Sequence, residues 1–349
     1  MIAATDPIAP VLSAYGWQAA DCKVSSLGGG LINHTWQVDT GEGRFVLQRI
    51  NHTVFTEPAV IDDNLRCLHE YVQATAPDYR LPFPVAATDG RTLVHIPEAG
   101  YYRVLPFVPD THTIDVVSDA GLAYAAARQF AGFTKVLTGF DVTQLRPSIP
   151  HFHHLRLRFN QFEQACKQGN PDRIREAAEL IRQLQGGYAL VEQFDTFVRD
   201  PACRQRVMHH DTKISNVLFD SADQAVCVID LDTVMPGYFF SDIGDMFRTY
   251  SCPVSEEESD FSKIMVRADI CAAIETAYLE GMNDALTPTE RTHLLYSGEC
   301  LIYMQAIRFL TDFLNDDVYY GARYPGHNLV RAGNQAVLLE QFQAYRKSR

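Results

Sequence analysis

No two of the eight cysteines form a CxxC pair; they stand apart at Cys22, Cys67, Cys166, Cys203, Cys227, Cys252, Cys271 and Cys300. That scatter excludes a disulfide framework or a zinc ribbon and points to reduced core cysteines. Cations are also scarce: 30 Lys and Arg face 43 Asp and Glu, a net charge of −13. No basic face is available to offset nucleic-acid phosphates, so no nucleic-acid partner is expected. The same charge disfavours an anionic lipid surface. No apolar run is long enough to span a bilayer, so no membrane partner is expected either. The first residues, MIAATDPIAPVLSAYGW, lack a basic start, and Asp6 and Pro7 interrupt them early. No signal peptide is read there, and a cytoplasmic location is expected. Internal repeats and low-complexity tracts are missing as well. What is present is 349 residues, 46% hydrophobic and 21% charged. That is an ordinary globular composition, long enough for two core-forming units.

The first hundred residues alternate apolar and polar side chains. CKVSSLGGGLINHTWQVDT does so on both sides of a glycine cluster, and RFVLQRI follows a turn at residues 40–43. This predicts a hairpin running into a third strand. Pro58 suits a first helical turn, and Val60, Ile61, Leu65, Leu68 and Val72 follow at helical spacing, so a helix is predicted over 58–73. FPVAAT and YYRVLPFV read as two further strands. The prolines at 106 and 109 mark a linker near 105–110. Beyond Asp110 the pattern becomes helical, with stretches over 152–168, 172–199, 261–282, 288–315 and 328–345. One β-like insert, NVLFDSADQAVCVIDLD, interrupts them. The outline is α+β: a small sheet-rich N-lobe over 1–108 and a larger, mostly helical C-lobe over 109–349. Pocket-forming residues are expected between such lobes.

The insert and the residues before it, VMHHDTKISNVLFD, carry the chemistry. A hairpin centred on residues 221–224 brings the positions around Asn216 and Asp230 side by side. Amide and carboxylate oxygens there suit magnesium, which takes such ligands together with water and phosphate oxygens. Asp211 then stands free to accept a proton, and Lys213 offsets charge on a transferring phosphoryl group. The plainer reading is a polar turn, with Asp211 as a cap and Asn216 and Asp230 closing the hairpin through hydrogen bonds.

The spacing His209, Asp211, Asn216, then a strand ending in Asp230, resembles the catalytic loop and metal-binding Asp of the protein-kinase superfamily. Asp230-Leu231-Asp232 in place of D-F-G resembles its aminoglycoside phosphotransferase-like branch, whose members phosphorylate small molecules. That branch also carries a later Asp-rich turn, matched by Ser241-Asp242-Ile243-Gly244-Asp245. VLQRINH, IPHFHH, VCVIDLDTVMPG, DIGDMFR, RFLTDFLNDDVYY and HNLVRAGNQ narrow the likeness to the N-acetylhexosamine 1-kinases, over most of the chain.

The resemblance implies a bilobal protein-kinase-like fold and an ATP- and Mg²⁺-dependent transfer to the anomeric hydroxyl of a sugar acceptor, GlcNAc or GalNAc. It implies Asp211 as catalytic base, Asn216 and Asp230 as metal ligands, and Gly28, Gly29, Gly30 and Lys213 on the phosphates. Glycines let backbone N–H groups approach phosphate without an intervening Cβ. Asn33, Asp232, Arg308 and Tyr319, with Asp312, are candidates for the acceptor or phosphate. His209 reads as a brace for the loop, and Asp242 and Asp245 as supports. The HFHH segment lacks the companions of a zinc site and reads as a helix start facing the acceptor. An Arg308–Asp312 surface pair is the plainer reading of that spacing.

One departure stands out. Where the kinase pattern has a strand lysine for the nucleotide's phosphates, this chain has Gln48, a candidate to contact phosphate there without a charge. Arg49 is adjacent, but alternation sends it to the opposite face unless a bulge turns it inward. The acidic partner on the next helix stays open among Glu57, Asp62, Asp63 and Glu70. Two rivals remain: a kinase of the same branch acting on another sugar, an amino alcohol or an aminoglycoside, and a nucleotide-binding regulator without catalysis.

Overall fold

The computed structural model describes residues 8–28 and 32–349. Its contacts divide the chain into two compact units. The first takes residues 1–111 together with 140–150 and 229–235; the second takes 112–139, 151–228 and 236–349.

In the first unit, helix α1 (Ala9–Ala14) precedes strands β1 (Lys23–Ser26), β2 (His34–Thr40) and β3 (Gly43–Ile50). Helix α2 (Pro58–Thr75) follows, then β4 (Val94–Ile96) and β5 (Gly100–Pro106). The strands form one antiparallel sheet in the order β1-β2-β3-β5-β4. Val38, Leu47, Tyr102 and Val104 pack on α1 and Trp17 to make this unit's core. Period-2 alternation then sends Thr35, Gln48 and Arg103 to the other face, where the register sets Thr35 against Gln48 and Gln48 against Arg103.

The β2–β3 ladder runs residue for residue from His34↔Arg49 to Thr40↔Gly43. Arg49 therefore stays on the Leu47 face, opposite Gln48. FPVAAT does not form a strand. Pro82 and Pro84 remove two ladder donors, and Val85 alone makes a bridge to Val104. The fourth strand is Val94–Ile96 instead, an apolar-polar-apolar triplet too short to stand out in the sequence.

The second unit holds α3 (Ala120–Val136), α4 (Leu155–Gln168), α5 (Pro171–Glu176), α6 (Ala178–Gln185) and α7 (Tyr188–Arg199). Strands β6 (Gln205–Met208), β7 (Val217–Phe219) and β8 (Ala225–Val228) come next, then β9 (Met235–Tyr238). Helices α8 (Phe240–Tyr250), α9 (Ala268–Met282), α10 (Pro288–Thr292), α11 (Leu294–Leu314) and α12 (His327–Lys347) complete it. The helix expected over 172–199 is three helices, because Ala177 and the Gly186-Gly187 pair break it. The stretch over 288–315 is likewise divided between α10 and α11, and the one over 261–282 is helical only from Ala268.

Helix α11 is the hub of this unit. It is buried on nearly every side and packs against α4, α8 and α12. Its approach to α8 depends on Gly244, where a Cβ would fall 2.4 Å from the Ser297 carbonyl oxygen. That atom is backbone, so no rotamer relieves the clash. Gly244→Ala is expected to cost roughly 1–3 kcal/mol or more. It is also expected to lower phosphotransfer, since α8 carries the carboxylates described next. Denaturant unfolding and a rate assay on the same preparation check both.

Candidate active site

The loop between β6 and β7 is tied down by α8. Asp242 accepts the backbone N–H groups of His209 (3.0 Å) and His210 (2.8 Å), one on each carboxylate oxygen. His210 adopts a left-handed backbone, φ 67°. This conformation is uncommon for a residue with a Cβ and needs surrounding contacts to hold it. Asp245 accepts the N–H of Thr212 at 2.9 Å, and the Tyr250 hydroxyl donates to the Thr212 carbonyl at 2.5 Å. His209 is buried against the rings of Phe130 and Phe133. Burial pushes the Asp242 carboxyl up to about 6, against the pull of His209 and the two backbone donors.

Three of the expected residues meet at the end of this loop. The Asp211 Oδ2 accepts from Lys213 Nζ (2.9 Å) and Asn216 Nδ2 (3.0 Å), while its Oδ1 takes no hydrogen bond among the described residues. Burial works to raise this carboxyl. Lys213, by charge and hydrogen bond, outweighs it with help from His209 and Asn216, so Asp211 stays below the usual carboxylate range. Asn216 spends its amide N–H₂ on Asp211, and its Oδ1 accepts no hydrogen bond among the described residues. A lone pair there fits a hard cation. The β7–β8 hairpin forms as the sequence predicts, with Val217 opposite Val228.

Asp211 also lines a cavity of about 70 Å³ with Phe152, His153, His210, Asp245, Arg248, Leu301, Met304, Gln305 and Arg308. Two imidazoles share one hydroxyl there: Ser241 Oγ bonds Nδ1 of His153 and, at 2.7 Å, Nδ1 of His210. A hydroxyl has one proton to give, so one ring donates to it and the other accepts. Burial, with the charges of His210 and Arg308 nearby, pushes His153 well below its ordinary value and keeps it neutral. His154 caps α4 by accepting from Leu157 N–H.

Arg308 donates to Gln305 at 3.2 Å and stacks over Phe152 (5.3 Å), Tyr320 (5.4 Å) and Tyr319 (5.9 Å). No carboxylate lies within ion-pairing range of it among the described residues. Asp312 is not its partner, because its oxygens accept from the N–H groups of Tyr319 (2.7 Å) and Tyr320 (2.9 Å) and from Asn328 (3.1 Å). Tyr319 itself is 65% exposed.

The remaining candidates belong to the first unit. Asp230 is partly exposed and left-handed, φ 60°. Asn33 donates to Asp232 at 2.6 Å and accepts from the Asn51 N–H at 3.0 Å. Gln48 Oε1 accepts from Arg103 Nε (3.0 Å) and Nη2 (2.8 Å), and Arg103 Nη2 lies 2.5 Å from Asp232 Oδ1. Gly28 is left-handed, φ 67°, a conformation glycine takes without cost. Gly29 and Gly30 lie outside the described residues.

Sequence reasoning missed Arg103 and Gln305, which sit in an ordinary-looking strand and helix, and gave no role to Ser241 and Arg248 within the motifs that contain them. Alternation on β5 was the one available signal, since a lone Arg in the apolar run YYRVLPFV is conspicuous.

Residues 23–270 match the family described as Phosphotransferase enzyme family, known as APH. The match spans most of the chain, which therefore belongs to that family and is a small-molecule phosphotransferase. Solved structures share the α+β kinase-like fold. A microcompartment-associated aminopropanol kinase is 17% identical, with TM-score 0.67 and 97% of this chain and 96% of that one covered. An aminoglycoside phosphotransferase from Alicyclobacillus acidocaldarius is 17% identical, with TM-score 0.63 and coverages of 97% and 93%. An amicoumacin kinase in complex with AMP-PNP and Ca²⁺ is 12% identical, with TM-score 0.63 and coverages of 95% and 92%.

Asp242→Asn turns one acceptor of the loop into a donor facing a donor. It is expected to cost about 1–3 kcal/mol and to slow turnover. The folded pKa of Asp242, about 6, lies above the unfolded value near 4. Its contribution is therefore complete below about pH 4 and is lost as pH rises through about 6. The stability gap between wild type and variant is expected to narrow across that window in urea titrations.

Proposed function

We propose that this chain transfers the γ-phosphoryl group of ATP to a hydroxyl of an uncharged sugar-type acceptor. The reading we favour is the anomeric hydroxyl of an N-acetylhexosamine, GlcNAc or GalNAc, giving the 1-phosphate. The observation that carries the proposal is the Asp211 carboxylate. One oxygen is held by Lys213 and Asn216, the other takes no hydrogen bond among the described residues, and the residue lines a cavity.

Asp211 stays ionised at neutral pH, so Oδ1 accepts the acceptor's O–H and orients its oxygen. As the new O–P bond forms and the bond to ADP breaks, the hydroxyl proton passes to Oδ1 and from there to solvent. Lys213 stands beside this carboxylate as a positive charge for phosphoryl oxygens. Asn216 Oδ1 would take Mg²⁺, for which Asp230 is the further ligand that the sequence pattern implies; when bound, the metal neutralises charge on the phosphate oxygens.

The acceptor class follows from the lining. About 70 Å³ admits the reacting end of a sugar rather than the whole ring. The neutral imidazole of His153 and the Gln305 amide suit hydroxyl and acetamido groups. Arg308, a cation without a carboxylate partner among the described residues, repels an amine. That disfavours the amine-bearing acceptors suggested by relatives named for aminopropanol and aminoglycosides.

A coupled ADP-release assay with MgATP should give turnover on GlcNAc or GalNAc and little on choline, aminopropanol or kanamycin, with phosphorus NMR placing phosphate on C1. Turnover restricted to an amine-bearing acceptor would sink the acceptor assignment, and nucleotide binding without transfer to any acceptor would favour the regulator. Asp211→Asn should lower kcat by roughly 10²–10⁴ with the melting temperature preserved. Arg308→Ala should raise the acceptor KM by on the order of tenfold and leave the ATP KM unchanged.

A further inference from the structure

The first unit contains a buried cation whose surroundings use only part of it. Arg103 is 3% exposed and Asp232 is 2% exposed. Gln48 Oε1 engages Nε and Nη2 of the guanidinium, and Asp232 Oδ1 approaches Nη2. Nη1, with its two N–H donors, makes no hydrogen bond among the described residues and is not fully enclosed. An arginine so buried has given up most of its hydration, and each donor left unmade costs free energy. A fixed guanidinium fork with N–H donors to spare suits a phosphate oxygen, which accepts charge-assisted hydrogen bonds.

The fork is held from every side on which it has partners. Gln48 lies opposite Arg103 on the neighbouring strand and is itself next to Thr35 Oγ1, at 3.4 Å. The other oxygen of Asp232 is taken by Asn33, whose own Oδ1 caps the Asn51 N–H. The Asp232 carbonyl accepts from Ser148 Oγ at 2.7 Å. Asn33 also ends the glycine-bearing connection between β1 and β2, in which Gly28 is left-handed. The chain thus has an uncharged Gln48 where a strand cation was expected, and a cation one strand over at the same register.

Resting on the phosphotransferase reading above, we infer that Arg103 is the cationic contact for the nucleotide's phosphate oxygens, with Gln48 and Asp232 as its positioning residues. Gln48 aligns the fork without competing for the anion, because it carries no charge. Asp232 keeps the guanidinium from swinging and offsets its charge while the site is empty of phosphate.

Isothermal titration of the full chain with MgATP and, separately, with adenosine tests this without requiring turnover. Arg103→Met should weaken MgATP binding roughly tenfold or more and leave adenosine unchanged. Because that variant leaves a buried carboxylate unpaired, Arg103→Met/Asp232→Asn is measured beside it and should give the same split. Gln48→Lys/Arg103→Met, which returns a cation to β3, should recover part of the MgATP affinity. Unchanged MgATP affinity in the charge-balanced double variant would overturn the inference. So would an equal loss for ATP and adenosine, which marks a purely structural residue. Wild type that binds MgATP but phosphorylates no acceptor would count against the proposed function alone, and the binding split would still decide the role of Arg103.

Discussion

A single buried carboxylate organises the catalytic loop. Asp242 receives two consecutive backbone N–H groups, those of His209 and His210, and in doing so holds His210 in a left-handed conformation. Without that carboxylate the two donors would face a dry interior unpaired, and the turn that presents Asp211 would lose its reason to exist. Everything downstream inherits this arrangement: the direction of Asp211, the reach of Lys213 and Asn216 to its Oδ2, and the start of β7. The loop is positioned from the outside, by a helix, and α8 is in turn positioned by Gly244 against α11.

Buried charge is handled by pairing along one chain of residues in the helical unit. Asp245 is paired with Arg248, Arg248 with Glu256, and Glu256 with Arg331, whose guanidinium lies over Phe309. Removing one member of such a chain strands the next, so networks of this kind are costly to break even where their net contribution is modest. The sheet unit repeats the theme with Gln48, Arg103, Asp232 and Asn33. Arg308 is the contrast: among the described residues it donates to one amide and lies over three aromatic faces with no carboxylate in ion-pairing range, which leaves its charge to act on whatever enters the cavity.

Much of the fold was legible because its signals are local. Alternation marked β1 to β3 and β5, and 3.6-residue spacing with Pro58 at the start marked α2. The errors came from backbone chemistry that hydrophobic patterning ignores. Pro84 within FPVAAT and Pro82 just before it interrupted the ladder donors there, and Gly186-Gly187 ended a run whose apolar spacing continued beyond it. Val94–Ile96 was too short to carry a period, and it became a strand through its pairing with β5.

By itself the sequence determined the cluster of Asp211, Lys213 and Asn216. They stand within six positions of one another, so one turn can bring them together, although the carboxylates of α8 hold that turn in place. It also determined that Gln48 and Arg49 face opposite ways, because a strand has no other option without a bulge. Only the tertiary structure decided that Arg103, 55 positions from Gln48, completes that part of the sheet, and that Asp232 meets Asn33 across 199 positions. It alone turned Asp312 away from Arg308 and set His153 and His210 on one serine hydroxyl. The physical reason is range. Propensity and periodicity act over a few residues, whereas ion pairs and shared hydrogen bonds select their partners by proximity after the chain has packed, at any separation in sequence.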